Sequence, residues 1–234
     1  MHLLYIVQKG WIMQDNAPNG KRLLLSLKIF AVVLLAIITI ASCMPAGNLE
    51  TSDAAAVSFL FIFIPLFFIT IAVACISRLF WLLWIFRAEA NLRKVATTTF
   101  SPWIAVFFSF CPIMDAFILK DIVQNTERQL DAKQPDSPTA PINLKPVYIA
   151  FAFLAARICY AFFPYSTPLD TTFTNVVITG ITICLVRAIE PFLKKEQQLF
   201  RIYENEILDK KVDEVLRNRK IEEAARMVQE AKFE

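Results

Sequence analysis

The sequence predicts an all-α integral membrane protein, with four transmembrane helices, one re-entrant or interfacial hairpin and a long cytosolic C-terminal helix. Three observations predict it. The 234 residues are 56% hydrophobic, with 21 Phe and a single His, and the apolar residues stand in uninterrupted runs that a soluble domain of this length does not need. The 24 residues Ala54–Ser77 carry no charge, and at about 1.5 Å per helical residue they exceed the roughly 30 Å hydrocarbon core. Lys and Arg are confined to some of the loops between the apolar runs and absent from others, which sorts the loops to two sides of a membrane.

The elements follow in order. Residues 1–22 are a short cytosolic lead-in, in which Pro18-Asn19-Gly20 is a turn signal that ends any local structure. Lys21, Arg22 and Lys28 precede the 16 uncharged residues Ile29–Met44. With Leu23–Leu27 added and Lys28 snorkelling toward the headgroups, this run reaches spanning length. An uncleaved first helix is the expectation. The competing reading is a lipoprotein signal, with Met13 as the start and Ile40-Ala41-Ser42-Cys43 as the cleavage box.

Pro45–Asp53 is a loop with Glu50 and Asp53 but no Lys or Arg. The second span starts at Ala54, carries Pro65 as a kink, and leaves the lipid as a helix rich in Trp and Arg up to Lys94. The next segment, 100–119, is apolar apart from Asp115 and is divided by Pro112 into two arms, each too short to span. If it crosses, Lys120, Arg128, Lys133 and Lys145 face outside together with the Lys/Arg-rich C-terminus. If it returns, every Lys/Arg-bearing loop and both termini face the cytosol. The positive-inside rule favours the return.

Asp121–Gln134 is a short charged helix, and Pro135, Pro138, Pro141 and Pro146 mark a linker over 134–146. The third span is Val147–Phe163, and Pro164–Asp170 turns the chain outside. The fourth is about Thr172–Leu193, which closes a membrane domain over 23–193. Residues 194–234 hold ten Lys/Arg and ten Asp/Glu and contain no Gly or Pro. Their opposite charges three and four apart support a helix. Its apolar stripe is helical in spacing without a clean heptad, and it requires a partner: the protein's own cytosolic face, a second copy or another membrane protein.

One resemblance stands out. Trp84-x-x-Arg87-Ala88-x-x-Asn91-Leu92-Arg93, then Phe100-Ser101-Pro102-x-x-Ala105-Val106, then Pro112-Ile113 resemble a family of bacterial membrane proteins catalogued only as a domain of unknown function. The resemblance covers about Trp81–Val123. It implies a bacterial cytoplasmic-membrane protein with about four spans and a hairpin after the Trp/Arg helix, and it implies no activity. Trp103 follows Pro102 where the family pattern has Gly, Asp115 stands in place of Asn, and a second Pro is replaced near Leu119. The charged tail lies outside the shared domain.

Ionisable residues at membrane depth are the functional pointers: Arg78, Arg87, Glu89, Asp115, Arg157, Arg187 and Glu190. A charge near a helix centre costs about 2.5–3.5 kcal/mol on insertion scales, so Arg157 is expected to face the bundle and meet a carboxylate, Asp115 first and Glu190 second. Trp84, Arg87 and Asn91 share one helix face, which could clamp the hairpin backbone. The predicted buried polar cluster is therefore Arg87, Asn91, Asp115, Arg157, Arg187 and Glu190. Arg87, Arg93 and Lys94 are expected to touch anionic lipid headgroups.

Several chemistries are excluded. His2 is the only histidine, which rules out histidine triads and histidine metal sites. No Walker loop or dinucleotide fingerprint is present. The five cysteines, Cys43, Cys75, Cys111, Cys159 and Cys184, lie in apolar stretches without C-x-x-C spacing and read as small buried hydrophobes, with zinc or a disulfide as the other options. No catalytic residue, cofactor or metal is implied, and the net charge of +3 points to no nucleic-acid partner. Membrane lipid and a homo-oligomeric or membrane-protein partner through 194–234 are the expected contacts. The reading is a non-enzymatic scaffold or assembly subunit of the bacterial inner membrane. The alternative is a small transporter or channel subunit using an intramembrane Arg/Asp cluster, against which stand the four glycines and the absence of an inverted repeat.

Overall fold

The structure is a computed structural model that describes residues 13–42, 53–135, 140–161 and 168–230. Cys43 of the lipoprotein box and residues 164–167 of the expected turn lie outside these residues, while Pro168–Asp170, expected in that turn, open a helix. Six helices and no strand are found among the described residues: α1 Ala17–Ser42, α2 Asp53–Leu92, α3 Pro102–Phe108, α4 Pro112–Lys133, α5 Lys145–Ala161 and α6 Pro168–Glu230.

Three stretches among them are long and apolar enough to cross a membrane: Ala17–Ile40, Ile64–Leu92 and Val176–Met227. In the last of these the uncharged run ends at Val186, and the charged tail begins at Lys194 after Arg187 and Glu190. The predicted third span, Val147–Phe163, corresponds to α5 and to residues beyond the described set. The 17 residues of α5 extend about 25 Å, short of the roughly 30 Å core.

The start of α1 corrects the expectation for Pro18-Asn19-Gly20. The turn signal does not end a structure; it lies in the first turn of α1. Pro18 is tolerated there because the first turn's N–H groups have no intrahelical acceptor. Asp15 Oδ1 accepts from the Ala17 N–H at 2.9 Å, and the Asn16 carbonyl accepts from the Gly20 N–H at 3.0 Å.

Pro65 and Pro191 lie inside α2 and α6, which both continue through them. The 40 residues of α2 give about 60 Å of helix and the 63 of α6 about 95 Å. α1 packs along both α2 and α6, α5 packs along α6, and α3 and α4 cover α2.

Between Phe100 and Lys120 the chain doubles back. Ser101 caps α3 by accepting from the Ile104 N–H at 3.3 Å, with Pro102 at the first helical position. At the base, Thr99 donates to Asp121 through its hydroxyl at 2.8 Å and its N–H at 3.2 Å. Near the tip, Asp115 reaches Arg78 of α2. The seven residues of α3 give about 10 Å of helix and residues 112–121 of α4 about 14 Å, so residues 100–120 rise about that far beside α2 and return. The charged helix expected at Asp121–Gln134 is the second half of α4, continuous with the returning arm.

The core lies at one end of the bundle. Leu23, Trp84, Ile85, Ile118, Ile122, Ile189, Phe192 and Leu199 are all buried there. The opposite half of α2 exposes Phe61, Ile64, Phe67 and Phe68. An apolar surface of that extent requires an apolar surrounding.

The cysteines depart from expectation. Cys75 and Cys111 are exposed and Cys184 is half-buried, all as free thiols; Cys75 and Cys184 stand on α2 and α6, and Cys111 is the extended residue that caps α4. Cys159 stands in α5 with its side chain outside the described set, and Cys43 lies outside the described residues.

Candidate functional site

Two polar clusters are built on α2, one turn apart, because Arg78, Trp81, Trp84 and Asn91 recur at helical spacing. The first joins α2 to the hairpin. Arg78 Nη1 donates to Asp115 Oδ2 at 2.7 Å, and Trp81 Nε1 donates to Asp115 Oδ1 at 3.1 Å. Asp115 is buried, and each of its oxygens is occupied by one donor.

The second cluster ties three segments together where the core is densest. Gln14 and Asn91 form a reciprocal pair. The Gln14 N–H donates to Asn91 Oδ1 at 2.9 Å, and Asn91 Nδ2 donates to the Gln14 carbonyl at 2.7 Å. Asn16 Nδ2 donates to Glu196 Oε1 at 2.8 Å and to the Trp84 carbonyl at 3.2 Å, while Trp84 Nε1 donates to Glu196 Oε2 at 3.1 Å. Trp84 is fully buried and meets Phe192 edge-on at 5.5 Å between ring centroids. Glu196 thus has neutral donors on both oxygens.

Below these clusters α4 is fastened along α6. Lys195 pairs with Glu127 and Lys133 with Glu206, both at 2.6 Å, and Gln198 Nε2 donates to Gln134 Oε1 at 2.8 Å. The hydrogen bond that Lys133 donates to Glu206 holds its amine above the ordinary lysine range. Burial, and then the neighbouring Arg87 charge, pull Lys94 below it.

The predicted cluster is divided by the structure. Asp115 is buried as expected, but its cation is Arg78, because Arg78 stands one turn before Trp81 on the face of α2 that meets the hairpin. Asn91 is buried and binds the N-terminal strap at Gln14, not the hairpin. Arg87 is half-buried. Arg187 and Glu190 are exposed, because α6 turns Ala188, Ile189 and Phe192 to the core and these two residues the other way. Arg157 stands in α5, and its side chain is outside the described set. Of the predicted headgroup contacts, Arg93 is exposed and Lys94 half-buried.

Sequence reasoning missed Gln14, Asn16 and Glu196. The signal for Asn16 was its place just before a helix opening with Pro in its first turn. Glu196 carried no signal, being one acid among ten in the tail. Glu89 is also notable: it is fully buried, and neither carboxylate oxygen has a hydrogen-bond partner.

Among the described residues no group of three His, Cys, Asp or Glu side chains is placed to hold a metal ion. What the clusters do chemically is saturate one another: amide and indole donors meet carboxylates and main-chain carbonyls in a closed set. Compared with models of known families, with curated proteins and with solved structures, the chain matches none.

Proposed function

We propose that this chain is a non-enzymatic membrane scaffold or assembly subunit, anchored by four spans and a re-entrant hairpin, with both termini in the cytosol. The observation that carries the reading is the far end of α6. Residues 208–227 are exposed throughout, and Leu208, Val212, Val215, Leu216, Ile221 and Met227 all present exposed side chains among the described residues. A helix that continues about 30 Å beyond its last supporting contact, with that many apolar side chains, is a surface for a partner or a second copy.

The return of residues 100–120 to the end of α2 supports the hairpin and, through the positive-inside rule, the cytosolic tail. The motif from Trp84 to Ile113 supports a bacterial inner membrane. Arg87, Arg93 and Lys94, beside the end of α2, suit anionic headgroups.

The test is a truncation after Ile207. A cut at Lys195, where the charged tail begins, also removes buried Glu196 and Leu199; a cut after Ile207 spares them. Light scattering and native mass spectrometry of the purified full chain should show an oligomer or a bound partner, and the truncated chain should lose it at unchanged thermal stability. A full chain that is monomeric and alone overturns the reading. The Arg78–Asp115 pair at hairpin depth favours a second reading, a transport or channel subunit. Flux in proteoliposomes that Asp115→Asn abolishes, with the fold intact, would establish it.

A further inference from the structure

From Lys194 onward, one face of α6 carries an open, shallow groove of about 340 Å³ lined by Lys194, Gln197, Gln198, Arg201, Ile202 and Asn205, all from this one helix. On a helix these positions span roughly one face, so Lys194 and Arg201 stand about two turns, or about 10 Å, apart. The lining has two cations, three amides and no carboxylate.

This segregation is not a matter of composition, because residues 194–206 include three glutamates. Two are held by partners elsewhere, and the third lines a different groove. Glu196 is turned inward to Asn16 and Trp84, and Glu206 is taken by Lys133. Glu204 lines a separate groove with Met13 and Tyr203. The third cation, Lys195, is consumed by Glu127 and the Ala140 carbonyl. Among the described residues, Lys194 and Arg201 have no ion-pair partner. Gln198 is already oriented by its bond to Gln134.

We propose that this groove binds a phosphate group, with Lys194 and Arg201 supplying the charge and the Gln197, Gln198 and Asn205 amides the remaining donors. An ammonium and a guanidinium separated by amide donors match a tetrahedral anion that accepts from several sides. Because the groove begins where the charged tail begins, the phosphate can come from an anionic lipid headgroup or from a soluble phosphate ester.

The test uses the full chain in nanodiscs. Retention of phosphatidylglycerol against phosphatidylcholine is read by native mass spectrometry, and glycerol 3-phosphate is titrated by calorimetry into phosphatidylcholine discs. Selective retention of phosphatidylglycerol assigns the site to a headgroup, and binding of glycerol 3-phosphate assigns it to a soluble ester; either supports the proposal. Lys194→Gln with Arg201→Gln should weaken the observed binding roughly 30-fold, from about tenfold or less per surface cation. Lys194→Arg with Arg201→Lys should keep most of it. Lys210→Gln with Arg217→Gln, an equal charge change further along the tail, should leave it unaltered. No preference for either phosphate probe in the wild-type protein overturns the proposal, and so does an equal loss in the Lys210/Arg217 control.

Discussion

Ile189 and Val212 stand on the same helix, and they live in different environments. Ile189 is 0% exposed and Val212 is 56% exposed. Both belong to stretches with helical apolar spacing, and both are β-branched residues of moderate helix propensity. Around Ile189, Trp84 of α2 packs against Phe192 of α6 and the Asn16–Trp84–Glu196 bonds fix the register of α6. Among the described residues, Val212 and the positions after it are exposed. Continuity of a helix therefore says little about how its stability is distributed. The near half is held by tertiary packing, and the far half by its own hydrogen bonds and charge pairs until something covers it.

The sharpest way to break this contrast is at the near end. Trp84→Ala removes a fully buried indole, its bond to Glu196 and its contact with Phe192. The expected loss is about 3–5 kcal/mol, read as a large fall in thermal midpoint in detergent. If the midpoint barely moves, the near end is not the seat of stability. Glu89→Met should act in the opposite direction. It replaces a buried carboxyl that has no hydrogen-bond partner with a side chain of similar length, and a gain of about 1–4 kcal/mol follows by analogy with buried ionic groups exchanged for apolar ones. A loss of stability there would mean that Glu89 has a partner when the protein is in its membrane.

Asp115→Ala tests the hairpin's attachment. Arg78 and Trp81 would keep their donors and lose the acceptor, at about 1–3 kcal/mol. A double-mutant cycle with Arg78→Gln should show coupling between the two positions, and additivity would dissolve the pair. Two glycines then compare the crossing with the open part of α6. A Cβ at Gly20 would overlap Leu193 Cδ2, whereas a Cβ at Gly180 meets nothing within 4 Å. Gly20→Ala should cost about 1 kcal/mol, at the low end for overpacking because a leucine methyl can yield. Gly180→Ala should gain about 0.5–1 kcal/mol from helix propensity.

Much of this fold was legible in the sequence, and the part that was not has a physical reason. Uncharged runs announce helices at membrane depth because no other open structure satisfies its backbone in lipid. Asp115 announced itself as a buried acid on an apolar arm. Its pairing with Arg78 did not, because that requires knowing how far the hairpin rises beside α2. Asn16 and Glu196 were hidden for the same reason: each is ordinary in its own segment, and only the convergence of the N-terminal strap, α2 and α6 makes them a cluster. Arg187 and Glu190 failed in the other direction. Proximity to an apolar run suggested burial, and the face that α6 presents put them outside.

The smallest expected effect on stability decides most about function. Leu208, Val212, Val215 and Leu216 recur at spacings of four, three and one on the exposed part of α6. Changing Val212 and Leu216 together to Ser should alter the thermal midpoint of the dissociated protein by little, since exposed substitutions away from packed features stay within about 0.5 kcal/mol. The same pair should abolish association if this face is where a partner sits, because truncating central apolar contacts typically removes about 2 kcal/mol or more of binding. A double variant that associates like the wild type, with its thermal midpoint unchanged, would leave the far half of α6 as a solvated helix whose apolar residues serve no contact. A double variant that unfolds would show that the near and far halves are energetically one unit, and the contrast between Ile189 and Val212 would fail.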